Sequence, residues 1–183
     1  MRLSDDRYEE IKNEVTELFI RYEVNCIPIS GFELAIKMGI RLMPYSSLSQ
    51  TKLHMAYLAS DAGFYFEPGD GTERIYYNDL TMGYERMNWT ILHEIGHAAL
   101  GHPADMNHDE SEAEANFFAK YAIAPPPLVQ CIHPTCAEDI MDAFCLSHEA
   151  SMYAYDYYNK WLQFGRRLTS YERRLLWQFS KAS

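Results

Sequence analysis

Apolar residues recur every three or four positions along much of the chain, a spacing that places them on one face of a helix. The first such stretch contains Tyr8, Ile11, Val15, Leu18 and Tyr22. A shorter helix is predicted next, because Ser30 and Glu33 have the spacing of a capping box and Gly39 is suited to end it. The N-terminal part is therefore expected to begin with two helices.

The pattern then changes to short extended segments. Residues 40–45 alternate enough to predict a strand, and residues 63–78 contain two apolar runs around a Pro-Gly-Asp-Gly turn. A turn of this kind between two apolar runs is typical of a β-hairpin. We therefore expect a small three-stranded sheet ahead of the next helix.

Helical spacing returns in the second half of the chain. One helix is predicted over about 82–100, where Gly101 can end it, and another over roughly 109–124, where three consecutive prolines follow. A third is predicted over about 137–144, and the last two are expected to begin after Ser147 and Thr169. The helix after Ser147 presents one apolar face, made of Ala150, Tyr153, Tyr157, Trp161 and Phe164. On it, the stripe of Tyr153, Tyr157 and Trp161 is interpreted as core rather than as a platform for substrate.

This order of helices, a small sheet and more helices predicts a mainly helical α+β fold. A length of 183 residues suits one domain with its own hydrophobic core. We expect a single domain over residues 1–183. The N-terminal helices and sheet should occupy about 1–80, a central pair of helices 82–124, and the C-terminal helices 137–183.

Charge and composition exclude some classes of function. The chain has 26 acidic and 16 basic side chains and a net charge of −10, which argues against direct nucleic-acid binding because that affinity depends on Lys and Arg. The N-terminus is charged from its second residue and no apolar run could cross a bilayer, so neither a signal peptide nor a membrane protein is expected. A disulfide scaffold would need more than the four cysteines present, which favours free thiols and a cytoplasmic location. They are Cys26, Cys131, Cys136 and Cys145.

The chemically informative segment is His93-Glu94-Ile-Gly-His97, within the helix predicted over 82–100. Two histidines four positions apart lie one turn apart on the same helix face, so both rings can reach one zinc ion. Glu94 lies about 100° around the helix from His93, where it flanks the metal and can take a proton from a water held there. The alternative to a metal site is a core helix whose histidines have ordinary hydrogen-bond partners.

A catalytic zinc ion commonly has three protein ligands, so a third is expected downstream. The next helix offers Glu110, Glu112 and Glu114. Glu112 shares its face with small residues, which should let this helix approach Gly96 closely, whereas Glu114 shares its face with bulky aromatic residues. Glu110 lies at the start of the helix, where the helix dipole commonly favours an acidic side chain. Glu112 is therefore the best candidate, and Asn116, one turn later, could orient a ligand histidine through a hydrogen bond.

These residues resemble a known family. The HExxH motif of His93 to His97, followed by Glu112-x-Glu-Ala-Asn116 and an apolar stretch ending at Pro125, is similar to the ImmA/IrrE metallo-endopeptidases. Weaker likenesses include residues 28–40 and 144–150, so the resemblance is expected to extend over most of the chain. It implies a zincin-like fold, with His93, His97 and Glu112 as metal ligands and Glu94 as the general base.

The resemblance also implies a function and a cofactor. Members of that family typically cut DNA-binding repressor proteins, which relieves repression in stress responses or in the induction of mobile elements. The chain is too short for an additional DNA-binding domain, so the expected partner is a separate helix-turn-helix repressor. The expected cofactor is Zn²⁺, with Mn²⁺ as an alternative because two histidines and a carboxylate suit both.

Two other functions stay open from the sequence. One is a protein-binding regulator, or anti-repressor, that holds its partner without cutting it and whose metal would be structural or absent. The other is a phage-encoded or toxin-type protein that retains a metal site and acts on another hydrolysable bond. An intact Glu94 counts against the first, because a structural zinc site has no use for a base beside it.

Overall fold

The structure, a computed structural model, describes residues 2–102, 107–164 and 167–181. Within these ranges it contains nine α-helices and three strands. In chain order they are α1 Asp5–Arg21, α2 Gly31–Met38, β1 Arg41–Pro44, α3 Gln50–Ala59, β2 Gly63–Phe66, β3 Arg74–Tyr77, α4 Tyr84–Leu100, α5 His108–Ile123, α6 Pro126–Cys131, α7 Ala137–Phe144, α8 His148–Phe164 and α9 Ser170–Ser180. The prediction of a mainly helical α+β fold is confirmed.

The chain divides into two compact units. The first comprises Met1–Arg2 and Ser30–Ala119, and therefore includes the sheet, α2, α3, α4 and most of α5. The second comprises Leu3–Ile29 and Lys120–Ser183 and contains α1 and the C-terminal helices. The assignment of residues 1–183 to a single domain stays a prediction. Within the described ranges, no helix combines the length and apolar character needed to cross a bilayer.

The sheet has the strand order β1-β3-β2. Strands β2 and β3 form the expected antiparallel hairpin, in which Phe64 pairs with Tyr76, and β1 runs parallel to β3 on its other side. The three-stranded sheet predicted ahead of α4 is confirmed. Since β3 is central, β2 is an edge strand.

Helix α4 packs against the sheet and against α2 at two close contacts. The N–H of Gly31, at the start of α2, donates a buried 2.7 Å hydrogen bond to Oδ1 of Asn88. At Gly63, a Cβ atom would lie 2.5 Å from the carbonyl oxygen of Tyr76 and 2.7 Å from Cγ2 of Thr90. A glycine is therefore required where β2 approaches α4, and this close approach brings the edge strand beside the HExxH motif.

In the second unit, α1 packs against α9, and α8 packs against α6 and α7. The Tyr171 hydroxyl donates a 2.6 Å hydrogen bond to Glu9, and the Trp161 indole N–H donates a 2.7 Å bond to Glu172. Glu172 also completes the cap of α9, because its carboxylate accepts from the N–H of Thr169 at 2.7 Å. Polar side chains therefore tie these helices together around their apolar contacts.

Three elements differ from the sequence prediction. Helix α3 was not predicted, because its only buried side chain is Ala56 and it has no apolar face. The prolines after α5 were interpreted only as a stop, but Pro126 begins α6, since proline is also well suited to the first turn of a helix. The core interpretation of the α8 stripe is wrong for Tyr153, which is 59% exposed, and Phe164 on the same face is 82% exposed. The buried face of α8 instead contains Ser151 and Tyr158.

Candidate metal centre

Three side chains converge at the C-terminal half of α4. His93 and His97 lie one turn apart, and their Nε2 atoms are 3.2 Å from each other. From α5, the Glu112 carboxylate reaches both rings, with Oε2 3.5 Å from Nε2 of His93 and Oε1 3.2 Å from Nε2 of His97. Among the described residues these three form a possible metal-binding cluster, with ligand atoms within 4.8 Å of one another.

These distances fit a single tetrahedral ion. Two ligand atoms that each lie 2.0–2.2 Å from a tetrahedral zinc are about 3.3–3.6 Å apart. The two Nε2 atoms are 3.2 Å apart, each lies 3.2–3.5 Å from a different oxygen of Glu112, and one ligand atom from each residue lies within 4.8 Å of the others. Two imidazole nitrogens and a carboxylate oxygen are also a usual donor set for catalytic zinc. The residues therefore fit the metal that the motif implies.

Glu94 lies beside the cluster and is almost fully buried, with 7% of its surface exposed. Its Oε2 accepts a 2.8 Å hydrogen bond from the backbone N–H of Tyr65 on β2, which holds the carboxyl group in place. Burial raises the pKa of Glu94 to about 8, although the Tyr65 hydrogen bond acts in the opposite direction. In the metal-free protein this carboxyl group therefore retains its proton up to neutral pH.

Burial acts in the opposite direction on the two histidines. It lowers the pKa of His97 to about 4, with His93 as a further cause, and it also lowers the pKa of His93. Glu112 partly opposes both shifts because its negative charge favours an imidazolium ion. Both rings are therefore neutral at physiological pH, which is the state in which an imidazole nitrogen can bind a metal.

Helices α4 and α5 approach each other closely at Gly96, but not for the reason that the sequence suggested. A Cβ atom on Gly96 would lie 3.1–3.2 Å from three atoms of Phe118, which belongs to the bulky face of Glu114. The small residues on the Glu112 face were expected to make this approach. An aromatic side chain packed against a glycine allows the same closeness, because the missing side chain leaves the space.

The Gly96→Ala variant is therefore expected to destabilise the protein by about 1–2 kcal/mol. Overpacking typically costs about 1–3 kcal/mol, and the higher helix propensity of alanine offsets up to about 1 kcal/mol. Chemical denaturation would measure the loss. In a double-mutant cycle with Phe118→Leu, the two changes together should cost less than their sum; additivity within about 0.5 kcal/mol would contradict the contact.

Other polar residues contact His93 and His97 outside the cluster. A side-chain hydrogen bond from Asn116 acts to raise the pKa of His93, and the role of Asn116 in orienting that ring stays a prediction. Nδ1 of His97 lies 2.9 Å from Nδ1 of His102, whose Nε2 lies 3.0 Å from Oε2 of Glu114. Sequence reasoning did not place His102 or Glu114 beside His97.

The position of His102 depends on how α4 ends. If the helix continued, His102 would lie about 140° around it from His97 and would point elsewhere. Instead Gly101 adopts a left-handed conformation with φ of 62°, and the N–H of His102 bonds the carbonyl of His97 at 3.3 Å. This turn at the end of the helix folds His102 back over His97. Gly101 was the available signal, because a glycine cap reverses the chain direction.

A cavity of about 690 Å³ opens over the cluster. The edge strand β2 lines one part of it through Gly63, Phe64 and Tyr65, and α4 contributes Arg86 and Trp89. His93, Glu94, His97 and Glu112 also line it. The space over the cluster is therefore bordered both by the candidate chemical groups and by a strand edge.

Comparison with known proteins gives one family. The family model described as the IrrE N-terminal-like domain matches residues 37–128, from the end of α2 into α6. The match covers 92 of 183 residues (128 − 37 + 1), which is half of the chain, and includes His93, Glu94, His97 and Glu112. The likeness expected at residues 144–150 lies outside this segment and stays a prediction. None of the curated proteins matches the chain.

Proposed function

The chain belongs to the IrrE N-terminal-like family of peptidases, and from this premise we propose that it is a zinc-dependent endopeptidase that cuts a separate DNA-binding repressor. One observation carries the proposal. The ring nitrogens of His93 and His97 and the Glu112 carboxylate converge within 4.8 Å of one another, and the buried Glu94 lies beside them on the same cavity.

A zinc ion bound to the cluster would activate a water molecule and polarise the carbonyl of the peptide to be cut. His93, His97 and Glu112 are assigned to hold the ion. Glu94 is assigned as the base that takes the proton of the attacking water and passes it to the leaving amine. The Tyr65 N–H supports this role because it fixes one carboxylate oxygen at 2.8 Å and leaves the other for the water. The same donor set suits Mn²⁺, so metal analysis must identify the ion.

The edge strand β2 is the proposed docking site for the substrate backbone. An extended peptide can add to an exposed sheet edge through main-chain hydrogen bonds. Because Gly63, Phe64 and Tyr65 line the cavity, a peptide beside β2 would pass in front of Glu94. This arrangement suits an endopeptidase, which must bind the chain on both sides of the cut bond.

The repressor substrate and the cytoplasmic location are further parts of the proposal. The resemblance to ImmA/IrrE peptidases supports a helix-turn-helix repressor as the partner. The net charge of −10 disfavours binding of the peptidase itself to DNA. We therefore propose that the peptidase recognises the repressor protein and not its DNA. The four cysteines are free, which agrees with a reducing compartment.

Metal content tests the site. The purified parent protein is expected to contain about one zinc ion per chain by elemental analysis, and the His93→Ala variant is expected to lose at least 90% of it, because two remaining ligands hold zinc poorly. His54→Ala, which removes an exposed histidine on α3, is the matched control and should keep its zinc. Unchanged zinc content in His93→Ala would contradict the assignment.

Proteolysis tests the substrate. Helix-turn-helix repressors encoded beside the gene would be purified and incubated with the zinc-loaded protein, and the products analysed by mass spectrometry. A single cut in one of these repressors is the expected result. Tight binding of a repressor without a cut would instead favour a regulator that holds its partner.

A further inference from the structure

A positive charge lies at one end of the cavity, beyond the metal cluster. Arg86 belongs to the first turn of α4, is exposed to solvent and lines the cavity. It precedes His93 by seven positions, which is almost two helical turns, so both side chains lie on the same side of α4. Among the described residues that line the cavity, Arg86 is the one with a fixed positive charge. The cavity is therefore electrostatically different at its two ends.

Strand β2 runs beside α4 in the same direction. A Cβ atom on Gly63 would lie 2.7 Å from Cγ2 of Thr90. Two residues later, the Tyr65 N–H donates a 2.8 Å hydrogen bond to Glu94, four positions after Thr90. Two strand residues advance about 6.6 Å, and four helix residues advance about 6 Å. A peptide added to the edge of β2 would therefore also follow α4, and its part at the Gly63 end would approach Arg86.

The guanidinium of Arg86 is open to a carboxylate from outside the chain. Within the part of the chain that the structure describes, no carboxylate pairs with it, whereas Arg74 pairs with Asp70 at 3.2 Å. Trp89, three positions later on the same helix face, is half-buried and also lines the cavity. A guanidinium binds a carboxylate through two parallel hydrogen bonds, so it is suited to recognise an acidic side chain.

We propose that Arg86 is a specificity-determining residue that binds an acidic side chain of the substrate, two to four residues from the cut bond. The proposal rests on the proposed endopeptidase function and on docking of the substrate beside β2. Arg86 and His93 are about 10 Å apart along the helix axis. An extended peptide advances about 3.3 Å for each residue, so the acidic residue lies about three positions from the metal. A lysine or arginine at that position would be repelled by Arg86.

Cleavage of a peptide mixture tests the proposal. Zinc-loaded parent and Arg86→Glu would be incubated with dodecapeptides of random sequence and amidated C-termini, and the products sequenced by mass spectrometry. We expect the parent to favour Asp and Glu over Asn and Gln by about fivefold at one position two to four residues from the cut, which is the size of an exposed ion pair. Arg86→Glu should instead favour Lys and Arg at that position. If only the folded repressor is cut, the same substitutions are made around its cut bond.

Arg41→Glu is the matched control. It makes the same change of charge at an exposed residue of β1 that is not among the residues lining the cavity, so its preference should equal that of the parent. A variant that is merely damaged would lose rate without exchanging one charge preference for the other. Exchange of the preference in Arg86→Glu alone therefore identifies a direct contact.

Three results would overturn the proposal and leave the endopeptidase function intact. They are a parent without the acidic preference, the same preference in Arg86→Glu, and a preference that appears only in a second mixture with free C-termini. The last would show that Arg86 binds a terminal carboxylate and not a side chain. A parent that cuts neither peptides nor repressors would instead refute the proposed function, so the two failures are distinguishable.

Discussion

Replacing Glu94 with glutamine is expected to remove peptide cleavage while zinc stays bound. Glutamine has nearly the same shape and can still accept the hydrogen bond from the Tyr65 N–H, but it cannot take a proton from water. Loss of a general base typically costs about 10²–10⁴-fold in rate. Because Glu94 is not among the three clustered ligands, the zinc content should stay within about twofold of the parent's. Single-turnover cleavage of the repressor and elemental analysis of the same sample measure the two effects.

Glu85→Gln is the matched control for this experiment. Glu85 lies in the first turn of the same helix and is exposed, so its loss should leave both cleavage and zinc content unchanged. The proposal of an endopeptidase would fail if Glu94→Gln relieved repression in cells as well as the parent does. That result would favour a regulator that binds the repressor without cutting it.

The same substitution is expected to change how stability depends on pH. Burial raises the pKa of Glu94 to about 8 in the folded protein from 4.5. Between these values the unfolded chain ionises this group while the folded protein keeps it protonated, so stability is full below about pH 4.5 and is lost as pH rises toward 8. At 1.36 kcal/mol for each tenfold change, the loss amounts to roughly 3–6 kcal/mol. Glutamine resembles the protonated form at every pH, so Glu94→Gln should avoid this loss.

Denaturation of both proteins at several pH values, without metal, checks this prediction. Metal must be removed because a cation beside the carboxyl group would lower its pKa. The lowered pKa values of His93 and His97 act in the opposite sense, with stability lost as pH falls from 6.5 toward about 4. Both proteins contain these histidines, so their contribution cancels in the difference. A difference that does not grow between pH 5 and pH 8 would show that Glu94 ionises normally in the folded protein.

Local spacing was enough to predict the helical part of the candidate site. His93 and His97 face the same way because a helix turn contains 3.6 residues, and this depends on no distant contact. The caps at Ser30 and Thr169 were equally local, since each side chain bonds a backbone group three residues ahead. The β2–β3 hairpin followed from its turn residues. Glu112 was selected from three acids by its helix face, and the structure brings its carboxylate to both rings.

Apolar periodicity failed for α3 and for part of α8. Helix α3 is mostly exposed, and an exposed helix need not show an apolar face. The stripe on α8 has helical spacing, yet Phe164 is 82% exposed, because spacing shows which residues share a face and not which face is covered. Only the packing of α6 and α7 against α8 decides that.

The sequence by itself determined the chemistry that is available: two imidazoles one turn apart, a neighbouring carboxyl group and a third acid on the next helix. The tertiary structure alone decided the state of these groups. It placed the Tyr65 N–H on Glu94, the Phe118 ring on Gly96, and the His102–Glu114 pair behind His97. The reason is physical, because burial and hydrogen bonds between separate elements set pKa values and side-chain orientations, and neither is encoded within one turn of chain.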